Sequence, residues 1–165
     1  MNPQITGPRV LGPHDGLSIT DPGNRTDRFL IDTEDSGGGF SLVEHTLAPK
    51  VLAAPLHRHT REDEYSFVLE GRLGALLGED EVFAEAGTLV YKPRGQWHTF
   101  WNAGDTPIRL LEIISPGGLE QLFRKLGEPG GEYDPETLPA LAAEYGCEVD
   151  FEATMPIVER HQLTF

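Results

Sequence analysis

The sequence predicts an all-β sandwich or barrel followed by a short helical extension. Three observations carry that expectation. The 19 glycines and 13 prolines cut the chain into many short pieces, which is unusual for a helical protein and ordinary for strands joined by turns. Between those breaks, β-type segments follow one another across residues 40–115. Beyond residue 116 the apolar spacing changes to that of helices. The 165 residues are one domain's length, enough to bury roughly 70% of the unfolded surface without crosslinks.

In chain order, residues 1–28 carry Pro3, Gly7, Pro8, Gly12, Pro13, Gly16, Pro22 and Gly23. That punctuation leaves room for an N-terminal arm with short edge strands such as Leu17–Thr20. The β-domain is expected over 29–116. Gly37-Gly38-Gly39 reads as a loop before the strand Phe40–Leu47. Further strands are expected at Val51–His59, Glu64–Glu70, Leu73–Leu77, Glu81–Ala84, Thr88–Lys92, His98–Asn102 and Ile108–Ser115. The helical extension and tail occupy 117–165. Leu119, Leu122, Phe123 and Leu126 place one apolar stripe on a short helix that Gly127 and Pro129 end. Asp134 as N-cap and Pro135 at the first position start a second helix, with Leu138, Leu141, Ala142 and Tyr145 on one face and Gly146 as its stop. Both helices are expected to pack outside the β-domain. The tail from Cys147 to Phe165 alternates too weakly to assign.

Charge and composition exclude several classes. With 13 Lys+Arg against 27 Asp+Glu, the formal charge is −14, which repels phosphate backbones, and no basic stripe offsets it. Neither nucleic acid nor an anionic membrane is an expected partner. No apolar run approaches the ~18 residues that span a bilayer, and the N-terminus lacks a signal peptide's apolar core, so a cytoplasmic protein is expected. The single Cys147 allows no internal disulfide and no cysteine-cluster zinc site, and it reads as a small buried hydrophobe.

The chemistry concentrates in two stretches. In Pro55–Gly71, His57 and His59 lie two apart on a strand and so present two imidazoles on one face. A carboxylate a few residues later can return toward them from the next strand. In Gly87–Asn102, His98 adds a third imidazole at the start of a strand. Three imidazoles and one carboxylate suit a divalent first-row metal and leave positions open for water, dioxygen or substrate.

These two stretches resemble the cupin superfamily. Its first motif, G-x5-H-x-H-x(3,4)-E-x6-G, is matched by His57, His59, Glu64 and Gly71, with Val51 where the leading glycine would fall. Glu62 and Asp63 are competing acids, but only Glu64 leaves six residues before Gly71; the other two read as a solvated turn. The second motif, G-x5-P-x-G-x2-H-x3-N, is matched throughout by Gly87, Pro93, Gly95, His98 and Asn102. The resemblance implies an all-β antiparallel jelly-roll β-barrel with two short C-terminal helices packed outside. It implies one divalent transition metal per chain, iron or manganese ahead of nickel, copper or zinc, held by His57, His59, Glu64 and His98. Glu64 doubles as the expected catalytic base.

Among cupin functions, the complete ligand set points to an oxygenase, similar to quercetin dioxygenases, that acts with dioxygen on a small enol or flavonoid. The alternatives are a non-catalytic metal-assisted binder and an isomerase or decarboxylase. Phe100 shares the parity of His98 and is the first candidate for a pocket wall, with Tyr91 and Phe40 after it. His45 lies on a core strand and is expected to have a satisfied hydrogen bond. Trp97 and Trp101 have the opposite parity to His98. Together with Tyr65 they suggest an outer face covered in a homodimer, unless the C-terminal helices cover it instead.

Overall fold

The computed structural model describes residues 7–128 and 134–164; Pro3, Pro129 and Phe165 lie outside them. The strands are β1 (Leu17–Thr20), β2 (Arg25–Ile31), β3 (Ser41–Leu47), β4 (Leu56–His59), β5 (Asp63–Glu70), β6 (Arg72–Leu77), β7 (Asp80–Glu85), β8 (Leu89–Lys92), β9 (His98–Asn102), β10 (Ile108–Ser115) and β11 (Cys147–Asp150). The helices are α1 (Glu120–Leu126), α2 (Leu138–Glu144) and α3 (Phe151–His161).

Period-two patterning decides which way each strand faces. Along β10, Ile108, Leu110, Glu112 and Ile114 are buried while the residues between them are not. One antiparallel sheet runs β1-β2-β3-β10-β5-β8 and the other β11-β4-β9-β6-β7. Leu47, Val68, Leu73, Ala75, Ile108 and Leu110 fill the space between them. The result is a two-sheet jelly roll, and among the described residues no ladder closes the sheets into a barrel.

The arm and the tail both do more than their sequences announce. β2 runs across residue 28 and sits between β1 and β3 in the sheet. Its inward residues include Arg25 and Asp27, and charges at inward positions disguise the alternation. The tail supplies β11, which pairs with β4, and α3, whose N-cap Asp150 accepts a hydrogen bond from the Ala153 N–H at 2.8 Å. Asp134 is not a helix N-cap. Residues 134–137 form a turn, in which the Asp134 side chain accepts from the Glu136 N–H at 2.9 Å, and α2 starts at Leu138.

Nor do the first two helices lie merely outside. Leu119, Leu122, Leu126, Leu138 and Ala142 form a core with Ile114 and Cys147 and line the cavity between the sheets. Trp101 does face away from that space, as its parity requires, but α3 of the same chain covers it. It packs with Leu52, Ile157 and Leu163 and is 1% exposed. Gly74, opposite Trp101 on β6, makes this possible, because a Cβ there would lie 2.3 Å from the indole.

Glu120 fastens α1 to the loop between β2 and β3. Its Oε1 accepts from the Thr33 N–H at 3.0 Å and from the Thr33 hydroxyl, and its Oε2 accepts from the Gly118 N–H at 2.8 Å. Burial alone would push this carboxyl up, but the donors hold it below the ordinary 4.5. A depressed folded-state value means that the ionised carboxylate stabilises the fold above pH 4.5, and the contribution is lost as pH falls through the lower folded value. Glu120→Gln is therefore expected to cost about 2 kcal/mol at neutral pH in urea denaturation. The gap to the native chain should close as the pH is lowered, and a gap unchanged at about pH 3 would rule out the charged interaction as its source.

Candidate metal centre

The four residues singled out by the sequence come together. β4 places His57 and His59 on its inward face, and the register sets His57 directly opposite His98 on β9. Glu64 reaches in from β5 in the facing sheet. All four side chains are buried, and one ligand-type atom from each lies within 4.8 Å of the others. The imidazole centroids are 4.3 Å (His57–His98), 4.8 Å (His57–His59) and 5.2 Å (His59–His98) apart. Glu64 Oε2 lies 3.1 Å from His98 Nε2 and 3.4 Å from His59 Nε2.

Backbone carbonyls orient two of the rings. His57 Nδ1 donates to the Pro55 carbonyl at 2.8 Å and His98 Nδ1 to the Gln96 carbonyl at 3.1 Å, which leaves each Nε2 to face the cluster as a donor of electrons. Both ring nitrogens of His59 are buried without a well-formed hydrogen bond, and Nε2 has only the Glu64 carboxylate beside it at 3.4 Å. An imidazole left so is costly unless something binds it. The orphaned nitrogen, two oriented imidazoles and a carboxylate fit a divalent transition metal.

The electrostatics agree. Burial and the neighbouring rings push His57 well below its ordinary value, and burial also lowers His98. Burial acts downward on His59 too, yet Glu64 and Cys147 carry it up to about 10. For Glu64 burial acts upward, and Lys92 and His59 hold it well below the ordinary range. Without a metal, then, the cluster keeps one positive charge on His59 beside an anionic Glu64, and loading a cation displaces that proton.

The competing acids are sorted by position. Asp63 points outward to Arg94 at 2.9 Å. Glu62 is buried, not solvated, with Oε2 3.9 Å from His59 Nδ1, behind the ring and away from the other ligands. Phe100 lines the cavity as expected. Tyr91 does not: it shares neither the parity of Val90 nor that of Lys92, is 49% exposed, and stacks on Tyr65 at 5.0 Å on the outer face. Phe40 precedes β3 and is not part of the cavity wall.

The polar wall of the cavity escaped sequence reasoning. Lys92 is 1% exposed and bonds Glu112 Oε2 at 2.9 Å and Glu64 Oε2 at 3.1 Å, with its Nζ 4.7 Å from the centre of the Phe100 ring. Arg25, His45 and Glu112 line the cavity, and Lys92 lies behind its wall, held by Glu64 and Glu112. The available signal was a charged residue at an inward strand position, as with Glu112 between Leu110 and Ile114. The rest of the lining is apolar and includes Phe100, Leu122, Phe123 and Leu138. The cavity has about 60 Å³ open to the centres of water-sized molecules, several times the ~10–15 Å³ that one water needs.

Residues 43–114 match the model of the cupin domain family. The tetracenomycin polyketide synthase protein TcmJ of Streptomyces glaucescens is 35% identical over 89 residues, which are 54% of this chain and 60% of that protein. A 1-hydroxy-2-naphthoate 1,2-dioxygenase of Nocardioides sp. strain KP7 is 29% identical over 143 residues, 83% of this chain and 35% of its own length. The chain thus spans less than two thirds of either protein. Among solved structures, the polyketide cyclase RemF of Streptomyces resistomycificus is 29% identical with a TM-score of 0.56, covering 66% of this chain and 80% of that one.

The ligands should be unequal. His57→Ala, His59→Ala and His98→Ala are each expected to abolish stoichiometric metal by elemental analysis, exceeding the ~10–100-fold loss of affinity that removing a hydrogen-bond partner behind a ligand causes. Glu64→Gln should retain a measurable fraction, because three imidazoles remain. Full metal occupancy in His98→Ala would remove β9 from the site.

Proposed function

We propose, from the match of residues 43–114 to the cupin domain family, that this chain is a metal-dependent oxygenase of small hydroxylated aromatic or enolic molecules. One observation carries the reading: the three-histidine, one-glutamate cluster adjoins a cavity whose lining is largely apolar, with Arg25, His45 and Glu112 the other polar residues. A ring held by Phe100, Leu122 and Phe123 presents its oxygen-bearing edge to the cluster. A divalent ion bound there supplies Lewis-acid polarisation of a substrate oxygen.

The chain's own residues do the rest. Glu64 is held ionised by Lys92 and His59, so it presents an anionic oxygen to a metal cation beside the substrate. Lys92 bridges Glu64 and Glu112 and keeps the carboxylate aimed at the cluster. The helices above exclude water from the reacting edge. The likeness to a hydroxynaphthoate dioxygenase over 83% of this chain supports both the substrate class and the use of dioxygen.

A second reading, a polyketide cyclase that uses the same site without dioxygen, is favoured by the likenesses to RemF and TcmJ. Oxygen uptake separates them. Protein purified without added metal should hold close to one redox-active metal per chain and consume dioxygen with 1-hydroxy-2-naphthoate or a member of an enol and flavonoid panel. A bound zinc ion with no uptake on any of them would sink the oxygenase and leave the cyclase or a binding protein.

A further inference from the structure

The cavity wall holds a second polar device outside the metal cluster. Asp27 on β2 and His45 on β3 are register partners, and the His45 Nδ1–Asp27 Oδ1 hydrogen bond is 2.7 Å long. They are 5% (His45) and 4% (Asp27) exposed. Burial would raise the Asp27 carboxyl, but Arg25 and His45 beside it hold it below its ordinary value. An ionised carboxylate only accepts, so the hydrogen of this bond is on Nδ1, and Nε2 is the ring nitrogen turned away from Asp27.

Nε2 has no hydrogen-bond partner among the described residues and is not sealed in the protein, and the residue lines the cavity. The ring is set edge-on to Phe123 at 5.5 Å and lies 6.1 Å from Phe100. The charged groups that face it are Asp27, with Arg25 Nε 3.5 Å from the same carboxylate oxygen, and Glu112 on β10. This nitrogen, in the wall of the cavity and away from its Asp27 partner, is placed to meet a hydroxyl that enters.

We propose that His45, positioned by Asp27, accepts the proton of a phenolic or enolic hydroxyl on a ring held in this cavity, apart from the metal cluster. The hydroxyl's O–H bond breaks with its electron pair remaining on oxygen, and the proton moves to Nε2. The imidazolium then lies between the new phenolate and the Asp27 carboxylate. This rests on the cavity's being a site for hydroxylated rings, and not on metal or dioxygen. Asp27 acts as a positioning residue, since it fixes which nitrogen is free.

The probe is 4-nitrophenol, whose ionised form absorbs at longer wavelength, at a pH where it is mostly protonated in water. The full chain is titrated as purified and after chelation. The phenolate band is expected to grow saturably in both forms. His45→Asn keeps an amide donor for Asp27 but removes the proton acceptor, and should weaken the band at least ~10-fold, one pKa unit's worth. Asp27→Asn should do the same with the probe still bound, by equilibrium dialysis, because its amide N–H donates to Nδ1 and so puts the ring's hydrogen on Nε2. Circular dichroism identifies any variant that has not folded, and the native chain decides the matter if both fail. No band in the native chain overturns the proposal. A band that vanishes on chelation and survives in His45→Asn overturns it too, assigning the ionisation to the cluster and leaving the metal reading intact. A band lost only in the variants upholds the dyad, even in protein found to hold no metal and consume no oxygen.

Discussion

A carboxylate between two sheets has to be matched by positive charge, and Glu64 sets that demand for the whole interior. At 3% exposure it cannot rely on water, and an uncompensated buried charge costs several kcal/mol. The five-stranded sheet answers with histidines from β4 and β9, and the six-stranded sheet with Lys92 from β8. Lys92 in turn needs a second anion, and Glu112 on β10 provides it. The arrangement of charge therefore spans both sheets. It fixes the inward face of five strands, β4, β5, β8, β9 and β10, as firmly as their apolar residues do.

The same interior explains what the sequence made legible. His57 and His59 reveal their shared face through spacing alone, and His98 and Glu64 through position in the two motifs. β9 and β10 begin and end where apolar alternation and turn residues place them. Arg25, Asp27, Lys92 and Glu112 stayed hidden for one reason, whereas His45 sits on a core strand with a satisfied hydrogen bond as expected. Alternation separates inside from outside by hydrophobicity, and these residues are polar inside, their desolvation offset by partners on other strands. Tyr91 fails in the opposite sense, as an aromatic residue facing outward.

Helices were legible as stripes but not as positions. Leu122, Phe123 and Leu126 announce an amphipathic helix, yet nothing in the stripe says that its partner surface is the mouth of a cavity. Only the packing with Ile114, Leu138 and Cys147 does. In α3, Pro156 obscures the pattern, and the helix is held by the Asp150 cap and by burial of Thr154 and Ile157.

The pairing of β11 with β4 also bears on how the protein is made. Arg58 and Glu148, facing each other across that ladder, are 90 residues apart in the chain. A ribosome adding roughly 5–20 residues per second leaves β4 with a bare edge for some seconds after its histidines emerge. Bare edges invite pairing with other chains. During that interval Arg58, a charge on the outward face of β4, guards the nascent strand before it meets Glu148.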